Sequence, residues 1–341
     1  MARPTLKDVA ELSGMSLRTV KKVMSGDETV RTKTRDAVLE AAKALHYTRN
    51  RAATALAKNH MLHIAVVYSH TTEAYFPEIE EGFQLALQEF SDFGLQLEWC
   101  ITGERGAKAQ REILEELLHR QDLDGVILQP FSASQLDDLI DALVAQGKTV
   151  VTFGSDAPNS KRLCHVGPDA YRSGRIGAQI LANYIGKQGK AFVINQGRDH
   201  LQTRERSSGF MDRIAEHYPN IQVFELNLPE NSNLYSDMVA SILDNESIAG
   251  IFSTDANTLL AGRVLKEQDK RDVVLVGFNL SANGISLMRE GFIKVIIDTA
   301  PETQAYQAAK VMYEYLNEGL IPERIIRTPI SILTSECFDA S

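Results

Sequence analysis

What the chain lacks narrows its class. No run of about 18 consecutive apolar residues occurs in the 341-residue sequence, which excludes a transmembrane helix. The first residues, Met1 to Asp8, contain no apolar stretch of the secretory kind. Cysteine is scarce. Cys100, Cys164 and Cys337 lie far apart with no metal-ligand spacing, so free thiols in a reducing cytoplasm are expected rather than disulfides or zinc. The eight histidines do not cluster at metal spacing either. There is no phosphate-cradling G-x-x-x-x-G-K-[ST], no G-x-S-x-G, no H-E-x-x-H, no G-x-G-x-x-G after a strand, and no carboxylate pair that stands out as acid and base. A cytoplasmic protein is expected, with no membrane partner, no catalytic residues, no metal and no cofactor.

What is present is an ordinary globular composition, 44% apolar and 24% charged, over a length that suits two or three domains. The net charge of −9 conceals an asymmetry. Residues 1–60 hold 12 Lys and Arg against 6 Asp and Glu, whereas the rest of the chain is strongly acidic. A basic head on an acidic body suggests that the head alone meets a polyanion. Chance surface charge is the competing reading.

The head carries a helix-turn-helix pattern. Thr5 followed by Asp8 reads as an N-cap with its capping-box acid, opening a helix through Leu12 with Leu6, Val9, Ala10 and Leu12 as apolar positions. Gly14 supplies a turn residue able to take positive φ. Ser16 caps a second helix, in which Val20, Val23 and Met24 repeat at i, i+3, i+4 and face inward. Leu17, Arg18, Lys21 and Lys22 are left on the outer side, at the end of the helix that would enter a major groove. A third helix over 32–46 closes the core through Ala37, Val38, Ala41 and Leu45. Beyond it, residues 50–57, headed by Asn50, form a helical segment of about two turns, too short to hold alone in water. Leu56 in that segment is placed to wedge into a minor groove. A plain interaction module remains open for the three helices, and a plain linker for the short one.

From residue 63 the chain alternates short apolar runs with amphipathic stretches. Strands are expected at 63–68, 126–128, 150–153, 191–194, 222–226, 250–252, 273–278 and 294–298, and helices include 77–93 and one carrying Leu136, Leu139, Ile140 and Leu143. Such alternation implies parallel sheets covered by helices, and about 280 residues of it imply two α/β lobes with a ligand cleft between them.

The head resembles the lactose-repressor (LacI/GalR) family of bacterial regulators. The resemblance rests on Thr5-Leu-Lys-Asp-Val-Ala-Glu-Leu-Ser-Gly-Met-Ser-Leu-Arg-Thr-Val, on Thr34-Arg35, and on Leu45-His-Tyr-Thr-Arg-Asn-Arg-Ala-Ala-Thr-Ala-Leu-Ala. It implies base-reading roles for Leu17, Arg18 and Lys22, phosphate contacts for Ser16, Thr19 and Thr34, and a hinge-helix wedge at Leu56; Thr5, Lys21 and Asn50 complete the candidate DNA surface. Lys21-Lys22 departs from the family, where a small polar residue and an Arg often sit.

The body resembles the type I periplasmic sugar-binding fold. The matching pieces are Glu73-Ala-Tyr-Phe-Pro-Glu-Ile-Glu-Glu-Gly-Phe, Leu123-Asp-Gly-Val-Ile-Leu, Val166-Gly-Pro-Asp-Ala-Tyr-Arg-Ser-Gly-Arg, Arg204-Glu-Arg-Ser-Ser-Gly-Phe, Val276-Gly-Phe-Asn and Asp298-Thr-Ala-Pro-Glu-Thr-Gln-Ala-Tyr. The resemblance implies a small all-α head over 1–48, a hinge helix and linker over 49–62, and two Rossmann-like lobes over 63–341. The N-lobe would take about 63–166 and 300–326, and the C-lobe about 167–299 and 327–341, with crossings near 167, 299 and 327.

A sugar site needs flat apolar faces and paired polar groups. The resemblance places Tyr75, Phe76, Ser155, Asp156, Arg206, Thr254, Asp255, Phe278, Asn279 and Thr299 at the ligand. Thr254, Asn279 and Thr299 replace an Asn, an Asp and a Gln common in the family, and Gly154 stands where an acid is often seen. Core packing is the competing role for Tyr75 and Phe76. A surface salt bridge to Glu205 or Asp212 competes for Arg206, and a helix N-cap for Asp255. The resemblance implies a ligand-responsive transcriptional repressor. Its expected partners are a second copy of the chain, a pseudopalindromic double-stranded DNA operator and a sugar or sugar derivative. The alternatives are a solute-binding protein of sugar transport, a repressor activated by a nucleobase-type corepressor, and a sugar-active enzyme carrying a DNA-binding head.

Overall fold

A computed structural model describes residues 4–24, 27, 29–45, 47, 61–69, 76–103, 106–196, 200–228, 234–245 and 247–338. Asn50, Leu56 and Tyr75, and the hinge helix expected over 50–57, lie outside the described residues.

The head is built from α1 (Leu6–Ser13), α2 (Leu17–Met24) and α3 (Thr32–Ala44). The Thr5 hydroxyl accepts the Asp8 N–H, and the Asp8 carboxylate accepts the Thr5 N–H at 2.6 Å, so the first orphan amides of α1 are satisfied. Gly14 ends that helix at φ 67°, where a side chain would be strained. Ser16 Oγ accepts the Thr19 N–H at 3.1 Å and caps α2. Val9, Val20, Val23, Val38, Ala41 and Ala42 form the core these caps enclose. Leu12 corrects the sequence reading. It is 55% exposed and lies outside the core formed around Val9.

The body opens with β1 (Leu62–Ser69), α4 (Phe76–Phe90), β2 (Leu95–Thr102), α5 (Ala107–Leu118), β3 (Gly125–Leu128), α6 (Ala133–Ala145), β4 (Thr149–Phe153) and β5 (Cys164–Gly167). It continues with α7 (Ala170–Tyr184), β6 (Gly189–Gln196), α8 (Leu201–His217), β7 (Ile221–Leu228), α9 (Tyr235–Asn245), β8 (Gly250–Ser253), α10 (Thr258–Glu267), β9 (Val274–Phe278), α11 (Ala282–Arg289) and β10 (Val295–Asp298). Last come α12 (Pro301–Tyr313), β11 (Ile325–Arg327) and β12 (Ser331–Leu333).

Two six-stranded sheets result, ordered β11-β5-β4-β3-β1-β2 and β12-β10-β9-β8-β6-β7. Every pairing is parallel except β10 with β12. Alternation along each strand feeds two cores per sheet. On β1, Leu62, Ile64, Val66 and Tyr68 join one cluster, while Ala65 and Val67 join another beneath α5 and α6. On β6, Phe192 and Ile194 divide from Ala191 and Val193 in the same way.

The chain passes between the sheets after Gly167, after Asp298 and after Arg327. On its return through α12, Ala305, Ala308 and Met312 pack into the first sheet's core, and Tyr313 stacks on Phe90 at 4.6 Å between ring centroids. Four strands go beyond the sequence reading: β2, β5, β11 and β12. Helix α4 ends at Phe90, and Ser91–Phe93 forms a single 3-10 turn closed by Gly94 at φ 96°.

Candidate functional site

In the head, α2 turns Val20 and Val23 inward and leaves Arg18, Lys21 and Lys22 exposed, with Leu17 half-buried at the helix start. Ser16 and Thr19 join through their hydroxyls at 2.8 Å beside them, and Thr34 is half-buried on the first turn of α3. Thr5 is exposed with its hydroxyl engaged at Asp8. The Lys22 ammonium lies 3.0 Å from Asp27. Hydrogen bonds from Thr29 and then from Lys22 hold the Asp27 carboxyl down at about 2, so this partner stays charged. The Lys22 side chain stays 46% exposed in this pair.

In the body, the carboxyl ends of the parallel strands surround a recess open to solvent. Gln129 and Phe131 follow β3, Gln196 ends β6, Asp255 follows β8 and Asn279 follows β9. His200, Gln202, Thr203 and Arg206 come from α8 and the residue before it. Arg206 is 4% exposed. One of its N–H groups donates to the Thr254 carbonyl at 2.8 Å, and its guanidinium carbon sits 3.6 Å over the Phe278 ring. That stack fixes the guanidinium plane and keeps the charge where a desolvated ligand would meet it.

Asp255 is held just as firmly, accepting the backbone N–H of Gln196 at 3.1 Å and of Asn257 at 2.9 Å. Asn279 occupies the left-handed region at φ 66°, which asparagine tolerates better than most side chains. The remaining lining is mainly amides, a hydroxyl and an aromatic ring. It can exchange paired hydrogen bonds with hydroxyls and lay a face against apolar C–H groups.

A second recess adjoins the chain crossings after Gly167 and Arg327, lined by Ser155, Asp156, His165, Gln202, Glu205 and Arg327 among others. The Gln202 side chain spans the two sheets, donating to the Gly154 carbonyl at 3.3 Å. Asp156 is paired with the buried Arg162 at 2.6 Å and also accepts the Thr152 hydroxyl. Burial pushes the Asp156 carboxyl up, but Arg162, His165 and Thr152 outweigh it and hold it below the usual range. Burial also lowers His165 to about 4, so its ring is neutral at physiological pH.

Of the residues the sequence reading assigned to the ligand, Arg206, Asp255 and Asn279 come together in the first recess, and Phe278 lies beneath Arg206. Ser155 and Asp156 line the second recess. Thr254 departs from the reading. Its hydroxyl is fully buried and turned to Asn195 at 2.7 Å, away from the recess, while its carbonyl accepts from Arg206. Thr299 departs as well, buried with its carbonyl taken by Gln304 and Thr328 rather than lining either recess. Phe76 packs on Tyr68 at 5.3 Å in the first sheet's core. Asp212, considered as a salt-bridge partner of Arg206, accepts the Tyr171 hydroxyl at 2.9 Å. The cap of α10 is Asn257 rather than Asp255. Gln129, Phe131, Gln196, His200, Gln202 and Thr203 escaped the sequence reading, although their positions after strand ends and at a helix start were a usable signal.

No helix among the described residues is long and apolar enough to cross a membrane, and none of their His, Cys, Asp and Glu groups could hold a metal ion. The three cysteines are unpaired, and burial raises the Cys100 thiol to about 11 and Cys164 to about 12.

A helix-turn-helix with an exposed basic face, joined in one chain to two mainly parallel sheets around a polar recess, defines a DNA-binding regulator with a ligand-binding body. The sequence profile of the lacI family of bacterial regulatory proteins matches residues 5–50, and that of the periplasmic binding protein domain matches residues 64–320. The chain belongs to the LacI family of bacterial transcriptional regulators.

It is 30% identical over 291 residues to the HTH-type transcriptional regulator CelR of Thermobifida fusca, covering 81% of this chain and 82% of that protein. It is 23% identical over 274 residues to the ribose import binding protein RbsB of Escherichia coli, covering 78% of this chain and 87% of that protein. Among solved structures, a putative LacI transcriptional regulator from Bacteroides fragilis superposes with a TM-score of 0.75 at 20% identity, covering 81% of this chain and 98% of that one.

Proposed function

We propose that this regulator is a repressor, a homodimer whose two heads read the half-sites of a pseudopalindromic operator, and whose DNA affinity is set by a sugar-like effector in the recess around Arg206. The observation that carries the reading is the guanidinium of Arg206 clamped between the Thr254 carbonyl and the Phe278 ring at a recess lined by amides. Such a cation is positioned to bond adjacent hydroxyls in pairs. The name of the ribose import binding protein supports the sugar class for a body of this kind.

In this reading residues 1–48 are the DNA-binding unit, 49–62 the hinge helix and linker, and 63–341 the effector-binding and dimerisation unit. Arg18, Leu17 and Lys22 read bases, while Ser16, Thr19, Lys21 and Thr34 meet phosphates. The protein works in the cytoplasm and catalyses nothing: the effector leaves unchanged. Gln202 reaches from α8 to Gly154 across the cleft, so a ligand that replaces this bond touches both lobes at once. It shifts the angle between them only by as much as its affinity differs for the two states.

A thermal-shift screen against pentoses, hexoses, disaccharides, polyols and nucleobases tests the reading. A sugar at 100 times its Kd stabilises the body by about 2.7 kcal/mol. Stabilisation by a nucleobase alone would replace the sugar class, and conversion of a bound sugar to product would overturn the non-enzymatic assignment.

A further inference from the structure

Thr254 holds Arg206 through its carbonyl, and what holds Thr254 lies outside the recess. Its N–H donates to the Ile194 carbonyl at 3.2 Å, and its hydroxyl, also 3.2 Å from that carbonyl, makes its shorter bond to Asn195 Oδ1 at 2.7 Å. Asn195, next to last in β6, is 3% exposed and lines no part of the first recess. Its amide nitrogen donates to Glu225 Oε1 at 2.8 Å and to Asn227 Oδ1 at 3.1 Å, and approaches Ser207 Oγ at 3.4 Å. Glu225 and Asn227 stand two apart on the edge strand β7 and so share a face. Ser207, the neighbour of Arg206 on α8, closes the network by donating its hydroxyl to Glu225. Every hydrogen-bonding group of this buried amide is used, and the donor and acceptor chemistry fixes its orientation: the oxygen meets a hydroxyl, and the nitrogen meets a carboxylate and an amide oxygen. The outer ends of the network open into another polar recess behind α8, and Thr203 lines both that recess and the one around Arg206.

We infer that Asn195 is the positioning residue of the effector site: it fixes Thr254, whose carbonyl aims the Arg206 guanidinium, and it anchors that arrangement to β7. The inference rests on the proposed role of Arg206. An arginine side chain has many rotamers, and a carbonyl acceptor helps to aim it only if that carbonyl cannot swing. Asn195 ties the strand end that carries Thr254 to the strand beyond it. Glu225 and Asn227 thereby act on the effector without touching it.

The test needs no effector. In the ligand-free full chain, the Arg206 Nε–H resonance, assigned by its loss in Arg206→Lys, is displaced upfield by the Phe278 ring beneath the guanidinium. Asn195→Ala removes that displacement, whereas Ser207→Ala, which leaves the Asn195–Thr254 bond in place, retains it. Asn195→Asp keeps an acceptor for Thr254 but sets a carboxylate against Glu225. It loses the displacement at neutral pH, and Asn195→Asp combined with Glu225→Gln restores it. A folded Asn195→Ala chain with the wild-type resonance would overturn the inference. If Asn195→Ala fails to fold, the Asp and Gln pair decides, and a folded double variant without the upfield signal overturns it. Titration of wild type with D-ribose, D-galactose and cellobiose separates the two claims. No binding in that titration counts against the sugar effector and leaves the Arg206 resonance test standing.

Discussion

Gly174 on α7 and Gly209 on α8 let the two helices touch backbone to backbone. A Cβ built on Gly174 would lie 1.9 Å from the Arg206 carbonyl oxygen, and one on Gly209 would lie 2.0 Å from that of Tyr171. Both obstacles are main-chain atoms, so no side-chain rotation relieves the clash. Gly174→Ala must therefore push α8 away by roughly 1.5 Å to restore ordinary contact distances. A methyl forced into a packed contact costs about 1–3 kcal/mol, and with rigid backbone on both sides the upper end applies. For a body of this size each kcal/mol moves the melting temperature by about 2–4 °C, so a fall of roughly 6–12 °C is expected. The displaced backbone also lifts Arg206 off Phe278 and weakens effector binding. Differential scanning fluorimetry with and without the stabilising sugar reads both effects. A Gly174→Ala chain that melts within about 2 °C of wild type and keeps its ligand shift would refute the packing argument.

Three further outcomes follow from the same geometry. Burial, with Asp298, Glu302 and Glu81 nearby, raises the Glu78 carboxyl from its ordinary value of 4.5 to about 7. The folded state therefore holds a proton that the unfolded chain has released. The stability this contributes is complete below about 4.5 and is lost as pH rises towards 7. Glu78→Gln flattens that decline in melting temperature between pH 5 and 8, and an unchanged slope counts against it. Arg18 is exposed on α2, so Arg18→Ala relaxes sequence preference rather than lowering affinity evenly, and recovery of the same site by both proteins in a binding-site selection would remove its base-reading role. Leu56→Ala weakens operator binding in a gel shift while the melting temperature holds, and unchanged affinity would exclude the wedge.

The head was legible because its signals are local. Thr5 with Asp8, Gly14 and Ser16 fix two helices through bonds spanning three or four residues, and Val20 and Val23 declare the buried face. The central strands were legible as unbroken apolar runs, which strands covered on both faces require. Strand β2 was missed although Leu95, Leu97 and Trp99 alternate with Gln96 and Glu98, the period-2 pattern of a half-covered edge strand. β11 and β12 span three residues each and expose Ile325 and Ile332, so only pairing with a distant strand defines them.

The recess was half legible. Arg206, Asp255 and Asn279 came from the family pattern, whereas Gln129, Phe131 and Gln196 are brought together by strand order, which local sequence does not encode. Thr254 shows the reverse case. Its place at the end of β8 was readable, but the partner that turns its hydroxyl inward, Asn195, is 59 residues away.

The central claim is that occupancy of the recess around Arg206 changes affinity for DNA. The direct measurement is fluorescence anisotropy of a labelled operator, recovered by binding-site selection, titrated with wild-type protein with and without the sugar that raises its melting temperature. Coupling between such sites is commonly worth about 5–150-fold in affinity, and the account predicts a change in that range for wild type. It also predicts none for Arg206→Ala, which binds the operator as tightly as wild type without sugar. Equal operator affinity of the wild-type protein at zero and saturating sugar would contradict the account.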